Sequence, residues 1–487
     1  MRTTETSETV RRLAAQGHLV GAGWRTEDGG EVYDHRYPAT GQVQAQVALA
    51  SAGDVDDAVS AARAGQPAWA ALRPSKRAAI LFRLAELLEL HGPEAAEIAA
   101  LDNGTPVRVM NPGFYAATWV RYYAGWCDKL DGEVLSGEPG LCYVRLEPYG
   151  VVAVIPPWNG SMMGMGQKCG PALAAGNAVV AKAPEVAPFG MLRFAELALE
   201  AGLPPGVLNV VVGGRITGAA LVEHRGVDKI SFTGGPATGR VLMASAATNL
   251  TPLALELGGK SPNIVFPDAD LDAAATMAAV FGAALLSGQG CALPTRLYVH
   301  DEVYDEVVQK LLSALGSLPV GDPLDPASFV GPVVTEEAMD RILRVIDKAK
   351  ADGATLLTGG VRLGGVLAPG FFVAPTVFGD VEQDSDLARN EVFGPVQAVL
   401  RFRSEDEVLT KANDSALGLA AYLHTTDGRR IQRFVRDLES GMVVVNGRGA
   451  VSPTTPFGGY KDSGFGREGG RAGIEEMVHR KTVLVAP

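Results

Sequence analysis

Short runs rich in valine and isoleucine alternate with helix-like segments between residues 151 and 257. The runs that we interpret as strands are 151–155, 178–182, 207–212 and 229–233. Continuous apolar runs of this length are typical of strands buried on both faces, and their alternation with helices predicts a doubly wound parallel sheet of the α/β class. Because such sheets bind ligands beyond the carboxyl ends of their strands, we expect functional residues at that edge.

Size and charge restrict the classes of function. The chain has 487 residues, 47% of them hydrophobic, which is enough for two or three globular units. Its net charge of −12 and the lack of a polybasic run argue against nucleic acid or an anionic membrane as a partner. Residues 1–12 show no apolar leader, and the longest apolar run, 273–286, is shorter than the about 20 residues of a bilayer span. We therefore expect a cytoplasmic protein with 273–286 as a core helix.

One cysteine differs from the others in its surroundings. The four cysteines are Cys127, Cys142, Cys169 and Cys291. They lie far apart without CxxC spacing, so we predict neither a metal site nor a disulfide. Gly288 and Gly290 flank Cys291 between the apolar run and a predicted strand at 296–299. A buried core cysteine is the alternative, but glycines allow a ligand to approach closely, and we interpret Cys291 as a nucleophile.

Two features of the predicted sheet favour a nucleotide. A glycine turn after strand 229–233 leads to Pro236, which suits the first position of a helix whose free N–H groups bind phosphate. A plain tight turn between strand and helix is an equal alternative. Lys182 and Glu185 lie at the end of another strand, where they are candidates for hydrogen bonds to ribose hydroxyls. A carboxylate there repels a 2′-phosphate, which favours NAD over NADP.

Glu256 is a candidate general base. It lies between Leu255 and Leu257 and is followed by two glycines. Partial desolvation raises the pKa of such a carboxylate and suits it to accept a proton. A glutamate facing solvent at the end of a strand is the alternative.

The rest of the chain predicts a second α/β domain, up to about residue 440. Its predicted helices are 338–351, 406–413 and 428–436, with a strand at 354–358. A glycine-dense loop at 456–468 and a final strand at 481–485 follow. A separate strand at 141–147 is expected to pair with the edge of another subunit or to be an ordinary edge strand.

Seven spaced motifs occur in one order along the chain. They are Pro157-Trp158-Asn159, Lys182-Ala183-Pro184-Glu185, Phe232-Thr233-Gly234, Glu256-Leu257-Gly258-Gly259-Lys260, Gly288-Gln289-Gly290-Cys291, Glu391-Val392-Phe393-Gly394-Pro395 and Pro456-Phe457-Gly458-Gly459. With these motifs the sequence resembles the aldehyde dehydrogenase superfamily from about residue 21 to residue 486. The resemblance implies a Rossmann-like cofactor-binding domain (1–129 and 149–257), an α/β catalytic domain (258–462) and small β oligomerisation elements (130–148 and 470–487). It also implies a homodimer or homotetramer.

The resemblance implies a role for each catalytic candidate. Cys291 adds to a small-molecule aldehyde, and the side-chain amide of Asn159 with the backbone N–H of Cys291 binds the oxyanion of the thiohemiacetal. Hydride transfer to NAD leaves a thioester, and Glu256 activates the water that hydrolyses it. Lys168 lies where many members carry a lysine associated with proton relay, and a lysine on a helix surface is the alternative.

By the same resemblance the cofactor spans both domains. Its implied contacts are Ile155, Pro156, Trp158, Asn159, Lys182, Glu185, Gly214, Gly218, Phe232, Thr233, Gly234, Gly235, Leu257, Gly258, Glu391 and Phe393. Gly235 stands where a serine is usual beside the pyrophosphate, so we expect one hydroxyl contact to be lost there. NAD is the implied cofactor, with NADP as the alternative, and no metal is implied.

The implied substrate tunnel departs from that of acetaldehyde-type members. Its predicted residues are Gly164, Gln167, Gly290, Ala292, Arg448, Val451 and Phe457. Four residues after Asn159 are smaller or more polar than the aromatic lining of those members and predict a wider or wetter entrance: Gly160, Ser161, Gly164 and Gln167. Arg448 is a candidate to hold a substrate carboxylate, with a surface ion pair as the alternative.

Three other functions are alternatives to an NAD-dependent, hydrolytic aldehyde dehydrogenase. A semialdehyde dehydrogenase follows if Arg448 binds substrate. A CoA-acylating relative is disfavoured by Glu256 at the water-activating position. A non-catalytic binding or structural protein on the same fold is disfavoured because Cys291, Glu256 and Asn159 are all present.

Overall fold

The computed structural model describes residues 2–26, 30–136, 140–449 and 451–486. The helices are α1 Arg2–Gln16, α2 Ala52–Ala71, α3 Pro74–Leu90, α4 Gly92–Asn103, α5 Pro112–Ala124, α6 Ser161–Ala175, α7 Phe189–Glu200, α8 Arg215–Glu223, α9 Pro236–Ala247, α10 Leu271–Ala279, α11 Tyr304–Gly316, α12 Glu336–Ala351, α13 Asp386–Arg389, α14 Glu405–Asn413, α15 Gly428–Asp437 and α16 Gly470–Glu475. The strands are β1 His18–Val20, β2 Gly23–Arg25, β3 Val32–Arg36, β4 Val43–Ala48, β5 Glu133–Leu135, β6 Leu141–Pro148, β7 Val151–Ile155, β8 Ala178–Ala183, β9 Leu208–Val212, β10 Lys229–Thr233, β11 Leu253–Glu256, β12 Pro262–Val265, β13 Arg296–His300, β14 Thr355–Thr358, β15 Thr376–Gly379, β16 Val396–Phe402, β17 Leu417–Gly418, β18 Ala420–His424, β19 Met442–Val445, β20 Tyr460–Lys461, β21 Gly464–Phe465 and β22 Val478–Val485.

The first large sheet has the strand order β2-β1-β9-β8-β7-β10-β11-β21. Its five central strands, from β9 to β11, are parallel, which confirms the predicted doubly wound sheet. Side chains alternate along β7: Val152 and Val154 pack with α3, α5, α6 and α7, whereas Val151 and Ala153 pack with α2, α8 and α9. Each buried valine stabilises the fold by about 1.5–3 kcal/mol relative to an exposed one. Both faces are therefore apolar, as continuous valine runs predict.

Helix ends in this half follow the chemistry of the predicted turns. Gly176 and Gly202 have φ angles of +99° and +91° just after α6 and α7, the left-handed conformation in which a glycine commonly ends a helix. Helix α6 begins at Ser161 and carries Lys168 in its interior. Glycines in its first turns and Pro171 within it weaken the apolar periodicity from which helices are predicted.

The second large sheet has the order β14-β15-β16-β13-β12-β18-β19, parallel from β15 to β19. Helices α12 and α15 cover one face, and α10 and α11 cover the other. This sheet confirms the second α/β alternation. Between the two sheets the chain passes from Glu256, the last residue of β11, to Pro262, the first of β12. The division into domains at residue 257 stays a prediction.

A third sheet has the order β22-β6-β5 and is antiparallel. Strand β6 pairs along its whole length with β22, from Leu141 opposite Val485 to Pro148 opposite Val478. Strand β6 is the middle strand of this sheet, so the alternative of an ordinary edge strand is wrong, although β5 covers the second side of β6 only from Cys142 to Val144. Pairing of 141–147 with another subunit stays a prediction. The edges of this sheet are β5 and β22.

The predicted core helix at 273–286 is shorter than expected. Helix α10 ends at Ala279 and is followed by a π turn, Val280–Ala284, and a 3₁₀ turn, Leu285–Gly288. A Cβ at Gly282 would lie 1.9 Å from the side-chain amide nitrogen of Gln397, so the π turn is pressed against β16. Within the described residues, Leu271–Gly288 is the segment long and apolar enough to cross a membrane, and 56% of it is buried in the fold.

Candidate active site

Cys291 lies in the loop between the 3₁₀ turn and β13. Leu286 and Ser287 have positive φ angles of 51° and 53°, a conformation that costs about 1–3 kcal/mol at each non-glycine residue. Gly288 has φ +71°, and a Cβ there would lie 1.9 Å from the carbonyl oxygen of Gly394. A Cβ at Gly259 would lie 2.1 Å from the carbonyl oxygen of Cys291. The glycines therefore bring two other loops into contact with the Cys291 loop.

Cys291 differs from the other three cysteines in the exposure of the residue as a whole. Cys291 is partly exposed, whereas Cys127, Cys142 and Cys169 are buried. Burial of the sulfur and the charges of Glu391 and Glu256 raise the pKa of Cys291 to about 12. The thiol is therefore protonated at neutral pH and needs a base before it can attack.

Asn159 lies next to the Cys291 loop. It belongs to a short 3₁₀ turn after β7, and its Nδ2 donates to the carbonyl oxygen of Gln289 at 2.7 Å. Asn103 supports this turn by donating to the carbonyl oxygen of Trp158 at 2.9 Å. Because an amide nitrogen carries two hydrogens, Asn159 retains a second donor for an oxyanion.

Glu256 ends β11 with an exposure of 4%. Neither of its carboxylate oxygens has a hydrogen-bond partner within the described residues. Burial, and then the charge of Glu468, raise the pKa of Glu256 well above its ordinary value, while Lys168 acts in the opposite direction. The predicted desolvation is confirmed, and the solvent-facing alternative is wrong. A buried carboxylate with a raised pKa is a suitable proton acceptor.

Behind Glu256 lies a buried ion pair that joins Lys168 to Glu468. Lys168 also donates to the hydroxyl of Ser231 at 3.2 Å, and the amide of Gln167 donates to the other oxygen of Glu468. Lys168 is 2% exposed, so the alternative of a lysine on a helix surface is wrong. Phe457 and Glu468 exchange backbone hydrogen bonds of 2.6 and 2.8 Å, which fixes Glu468 on the glycine-dense loop.

The sequence interpretation missed Glu468. Its loop was recognised by its glycines, but the partners Lys168 and Gln167 lie 300 residues away in sequence and no local pattern marks the contact. Gln167 was predicted as a tunnel residue, which stays a prediction, and its amide donates to Glu468. Gly164, also predicted for the tunnel, packs on Pro156, since a Cβ at Gly164 would lie 2.9 Å from the Cβ of Pro156.

The residues predicted for the adenine ribose lie together beyond β8. The Nζ of Lys182 is 4.0 Å from Oε2 of Glu185. A Cβ at Gly214 would lie 2.8 Å from Oε1 of Glu185, and one at Gly218 would lie 3.8 Å from Cδ of Lys182. Burial lowers the pKa of Lys182, and the Glu185 carboxylate opposes that shift. The carboxylate and the lysine are thus held over the start of α8.

The start of α9 is open. Its first residue is Pro236, no side chain caps it, and a Cβ at Gly235 would meet nothing within 4 Å. Helix starts without a side-chain cap leave N–H groups that suit a phosphate. The Phe232 ring packs beneath Gly234, whose N–H donates to the carbonyl oxygen of Glu256 at 3.0 Å. Thr233, Gly234 and Gly235 therefore lie beside the end of β11.

The residues predicted for the nicotinamide ribose lie between α9 and Cys291. Glu391 accepts from the backbone N–H of Gly259 at 3.2 Å, and burial raises the pKa of Glu391 to about 7. A Cβ at Gly258 would lie 2.3 Å from Oε2 of Glu391. The Phe393 ring meets the Trp158 ring edge-on at 5.5 Å between centroids. These contacts join the two large sheets at one place.

The remaining predicted positions lie in several parts of the fold. Ile155 is the buried last residue of β7, and Leu257 packs on Gly239 of α9. Gly290 lies against Leu293, and the carbonyl oxygen of Ala292 accepts from the Tyr422 hydroxyl at 3.0 Å. Val451 packs on the core of the first sheet. Arg448 is exposed and lines a large cavity beside α10.

The donor set fits a dinucleotide. It comprises a carboxylate with a lysine at the end of β8, an uncapped helix start with open space at Gly235, and a second carboxylate, Glu391, near Cys291. The profile of the aldehyde dehydrogenase family matches residues 24–483. The chain belongs to the aldehyde dehydrogenase family. Its general activity is accordingly the oxidation of aldehydes.

Solved structures with similar sequences agree with this assignment. The chain is 37% identical to an aldehyde dehydrogenase from Bacillus cereus solved as its NAD⁺ complex, with 98% of each chain covered and a TM-score of 0.94. It is 37% identical to HpcC from Thermus thermophilus, covering 99% of this chain and 95% of that one, with a TM-score of 0.94. It is 38% identical to PnpE from Pseudomonas sp. WBC-3, covering 97% and 99%, with the same TM-score of 0.94.

Proposed function

We propose that this chain oxidises an aldehyde to the carboxylic acid with NAD, by way of a thiohemiacetal and a thioester on Cys291, and that Glu256 activates the hydrolytic water. The observation that carries the proposal is the buried carboxylate of Glu256, which has no hydrogen-bond partner in the described residues. Glu256 ends a strand, and Gly259, three residues further along the chain, lies against the backbone of Cys291. NAD is the cofactor: the similar Bacillus cereus enzyme binds NAD⁺, and Glu185 repels the 2′-phosphate of NADP.

The first step is removal of the thiol proton. With a pKa of about 12, the Cys291 thiol has little thiolate at neutral pH. Glu256 has a raised pKa and accepts this proton, so the sulfur adds to the aldehyde carbon and the carbonyl oxygen becomes an oxyanion. The second hydrogen of the Asn159 amide and the Cys291 N–H stabilise the oxyanion, with about 3 kcal/mol for each donor.

The second step is oxidation of the thiohemiacetal. When bound, NAD accepts the hydride that leaves the former aldehyde carbon. Glu391 would accept hydrogen bonds from the ribose hydroxyls of the bound cofactor, and Phe393 with Trp158 would hold its nicotinamide end. Collapse of the oxyanion to a carbonyl leaves the acyl group on Cys291 as a thioester.

The third step is hydrolysis. Glu256 takes a proton from water, and the resulting hydroxide attacks the thioester carbon. Glu256 is a carboxylate again when it does so, because the thiol proton of the first step has already passed toward Lys168 and Glu468, whose charges act on the pKa of Glu256. The carboxylic acid leaves, and Glu256 gives the water proton to the departing thiolate, which restores the Cys291 thiol. This use of Glu256 argues against transfer of the acyl group to CoA.

A pre-steady-state experiment with Glu256→Gln tests the division of roles. We expect a burst of NADH equal to the enzyme concentration that forms more slowly than in wild type, because the thiol has lost its base. A steady rate about 10²- to 10⁴-fold below wild type should follow, because hydrolysis is blocked. A panel of short aliphatic aldehydes, aromatic aldehydes and semialdehydes ranks substrates by burst rate. Cys291→Ser is the control without a burst. Unimpaired steady turnover by Glu256→Gln would contradict the proposal.

We further propose that the chain forms a homodimer or homotetramer through the third sheet. Edge strands β5 and β22 carry exposed apolar side chains, among them Val134 at 78% and Leu484 at 67% exposure. Apolar side chains on an exposed sheet edge favour pairing with another chain. Light scattering of wild type and of Leu484→Lys tests this, since the variant is expected to shift to a smaller assembly.

A further inference from the structure

A cavity of about 1020 Å³ lies beside the reaction centre. Its walls are largely apolar and include Met110, Tyr115, Phe281 and Leu285. Phe281 and Ala292 pack into one apolar cluster, and Ala292 directly follows Cys291. The cavity is at the upper end of ligand pockets, which run from about 300 to 1,000 Å³. It is therefore large enough for an aldehyde with a sizeable apolar body.

Two guanidinium groups line this cavity. Arg108 lies on the loop between α4 and α5, and Arg448 lies on the loop after β19. Both are exposed, and within the described residues neither has a carboxylate partner. Arg108 makes a long hydrogen bond of 3.4 Å to the carbonyl oxygen of Ala327. The predicted surface ion pair of Arg448 is therefore not formed in the part of the chain that the structure describes.

The acidic groups of the same cavity have other partners. Asp270 caps α10 by accepting from the backbone N–H of Ala273 at 3.0 Å, and Asp272 forms an ion pair with Lys310. A carboxylate at a helix start is compensated by the free N–H groups there. The cavity also holds the buried His424, whose Nε2 has no partner within the described residues. The two arginines are thus the charged groups still available to a ligand.

We propose that this cavity is the substrate chamber, that Arg108 and Arg448 hold a carboxylate of the substrate, and that the preferred substrates are aldehydes with an apolar body and a carboxylate at the far end. A guanidinium fork binds a carboxylate through two parallel hydrogen bonds, and the apolar wall receives the rest of the molecule. The inference rests on the proposed function. The sequence pointed to Arg448 alone, and Arg108 is added by the cavity.

Matched aldehydes test the carboxylate preference. 4-Formylbenzoate and its methyl ester have nearly the same size, and the ester has the more reactive aldehyde, so a preference for the acid reflects binding. We expect the wild type to have a kcat/KM ratio of acid to ester of about 10 or more, as charge-assisted hydrogen bonds suggest. Arg108→Gln and Arg448→Gln should each lower this ratio about tenfold, mainly through KM for the acid. Arg448→Lys should retain part of the preference, because it keeps the charge and loses the fork.

The control is Arg11→Gln, which removes an exposed arginine of α1 and should leave the acid-to-ester ratio unchanged. An equal kcat/KM for acid and ester in the wild type would overturn the proposal. So would arginine variants that change both substrates equally.

A binding experiment separates this inference from the proposed function. Cys291→Ser is titrated by calorimetry with benzene-1,4-dicarboxylate in the presence of NAD, and the titration is repeated with Arg108→Gln and Arg448→Gln added. Arginine-dependent binding with no turnover of any aldehyde by the wild type means that the proposed function fails while the chamber stands. Turnover with a Glu256→Gln burst but no arginine-dependent binding means that the chamber proposal alone fails.

Discussion

The reaction centre and the ion pair of Lys168 with Glu468 differ in whether their buried charged groups have hydrogen-bond partners. At the reaction centre the oxygens of Glu256 and the Nζ of Lys260 are buried without hydrogen-bond partners in the described residues. In the neighbouring ion pair, Lys168 and Gln167 each donate a hydrogen bond to the carboxylate of Glu468. An uncompensated buried charge costs several kcal/mol, so it persists where a task needs it and the surrounding fold holds it in place. The partnered group supports the site, and the unpartnered carboxylate is available for chemistry.

The largest expected effect comes from breaking the buried ion pair between Lys168 and Glu468. Lys168→Met leaves the buried carboxylate of Glu468 without its cation, and the free energy of unfolding should fall by about 3–5 kcal/mol. Adding Glu468→Leu removes the stranded charge and should recover most of that loss. Urea unfolding of both variants measures this at one fixed protein concentration. Equal destabilisation by the single and the double variant would mean that the pair does not hold a buried charge.

Asn159→Ala tests the donor side of the reaction centre. Loss of one oxyanion donor should lower kcat about 10²- to 10³-fold while KM for NAD stays nearly constant. The variant also removes the hydrogen bond that Asn159 donates to the carbonyl oxygen of Gln289. The midpoint of thermal unfolding therefore serves as a control for disruption of this loop. If kcat hardly changes, the oxyanion is stabilised by other groups. Stopped-flow measurement of the NADH burst assigns the loss to the oxidation step.

Sequence patterns predicted best what depends on neighbours along the chain. Strands β7 and β10 have the predicted bounds because strands buried on both faces are continuously apolar. Glu256 was predicted to be desolvated from its two leucine neighbours. The end of α10 at Ala279 was not predicted, because the π turn arises from packing against Gln397 and not from a local stop signal.

Contacts across long stretches of sequence escaped prediction. Glu468 acquires its role from Lys168, and Arg108 from a cavity formed with Arg448. Motif resemblance reached those residues that share a motif, such as Glu391 and Phe393. It gave no sign of Arg108, which lies on a loop outside every motif.

The pH dependence of Cys291 alkylation measures the electrostatics of the centre. Because burial first, then Glu391 and Glu256, raise the pKa of the thiol to about 12, the thiolate fraction without cofactor should rise with pH throughout the neutral and mildly alkaline range. The rate of reaction with iodoacetamide should increase about tenfold per pH unit from about pH 7 to 9, without a plateau. Mass spectrometry of the Cys291 peptide follows it. Free cysteine, with a pKa of about 8.5, is the control that levels off.

The smallest expected effect is a change in stability on removing the charge of Glu256, the carboxylate without a partner. Folding raises the pKa of Glu256, mainly through burial, so the folded state binds the proton more tightly than the unfolded state. Stability contributed by this residue is therefore lost as pH rises above the unfolded value of about 4.3. Glu256→Gln carries no such penalty and should be more stable than wild type by about 1 kcal/mol at about pH 8, with little difference near about pH 4.

Urea unfolding of wild type and Glu256→Gln at both pH values gives this difference. Glu200→Gln, which changes an exposed glutamate at the end of α7, controls for the loss of a surface charge. If Glu256→Gln is less stable than wild type at the higher pH, the carboxylate has a stabilising partner in solution, and the contrast with Glu468 disappears. If it is more stable and hydrolytically inactive, the fold retains a destabilising group because the reaction requires it.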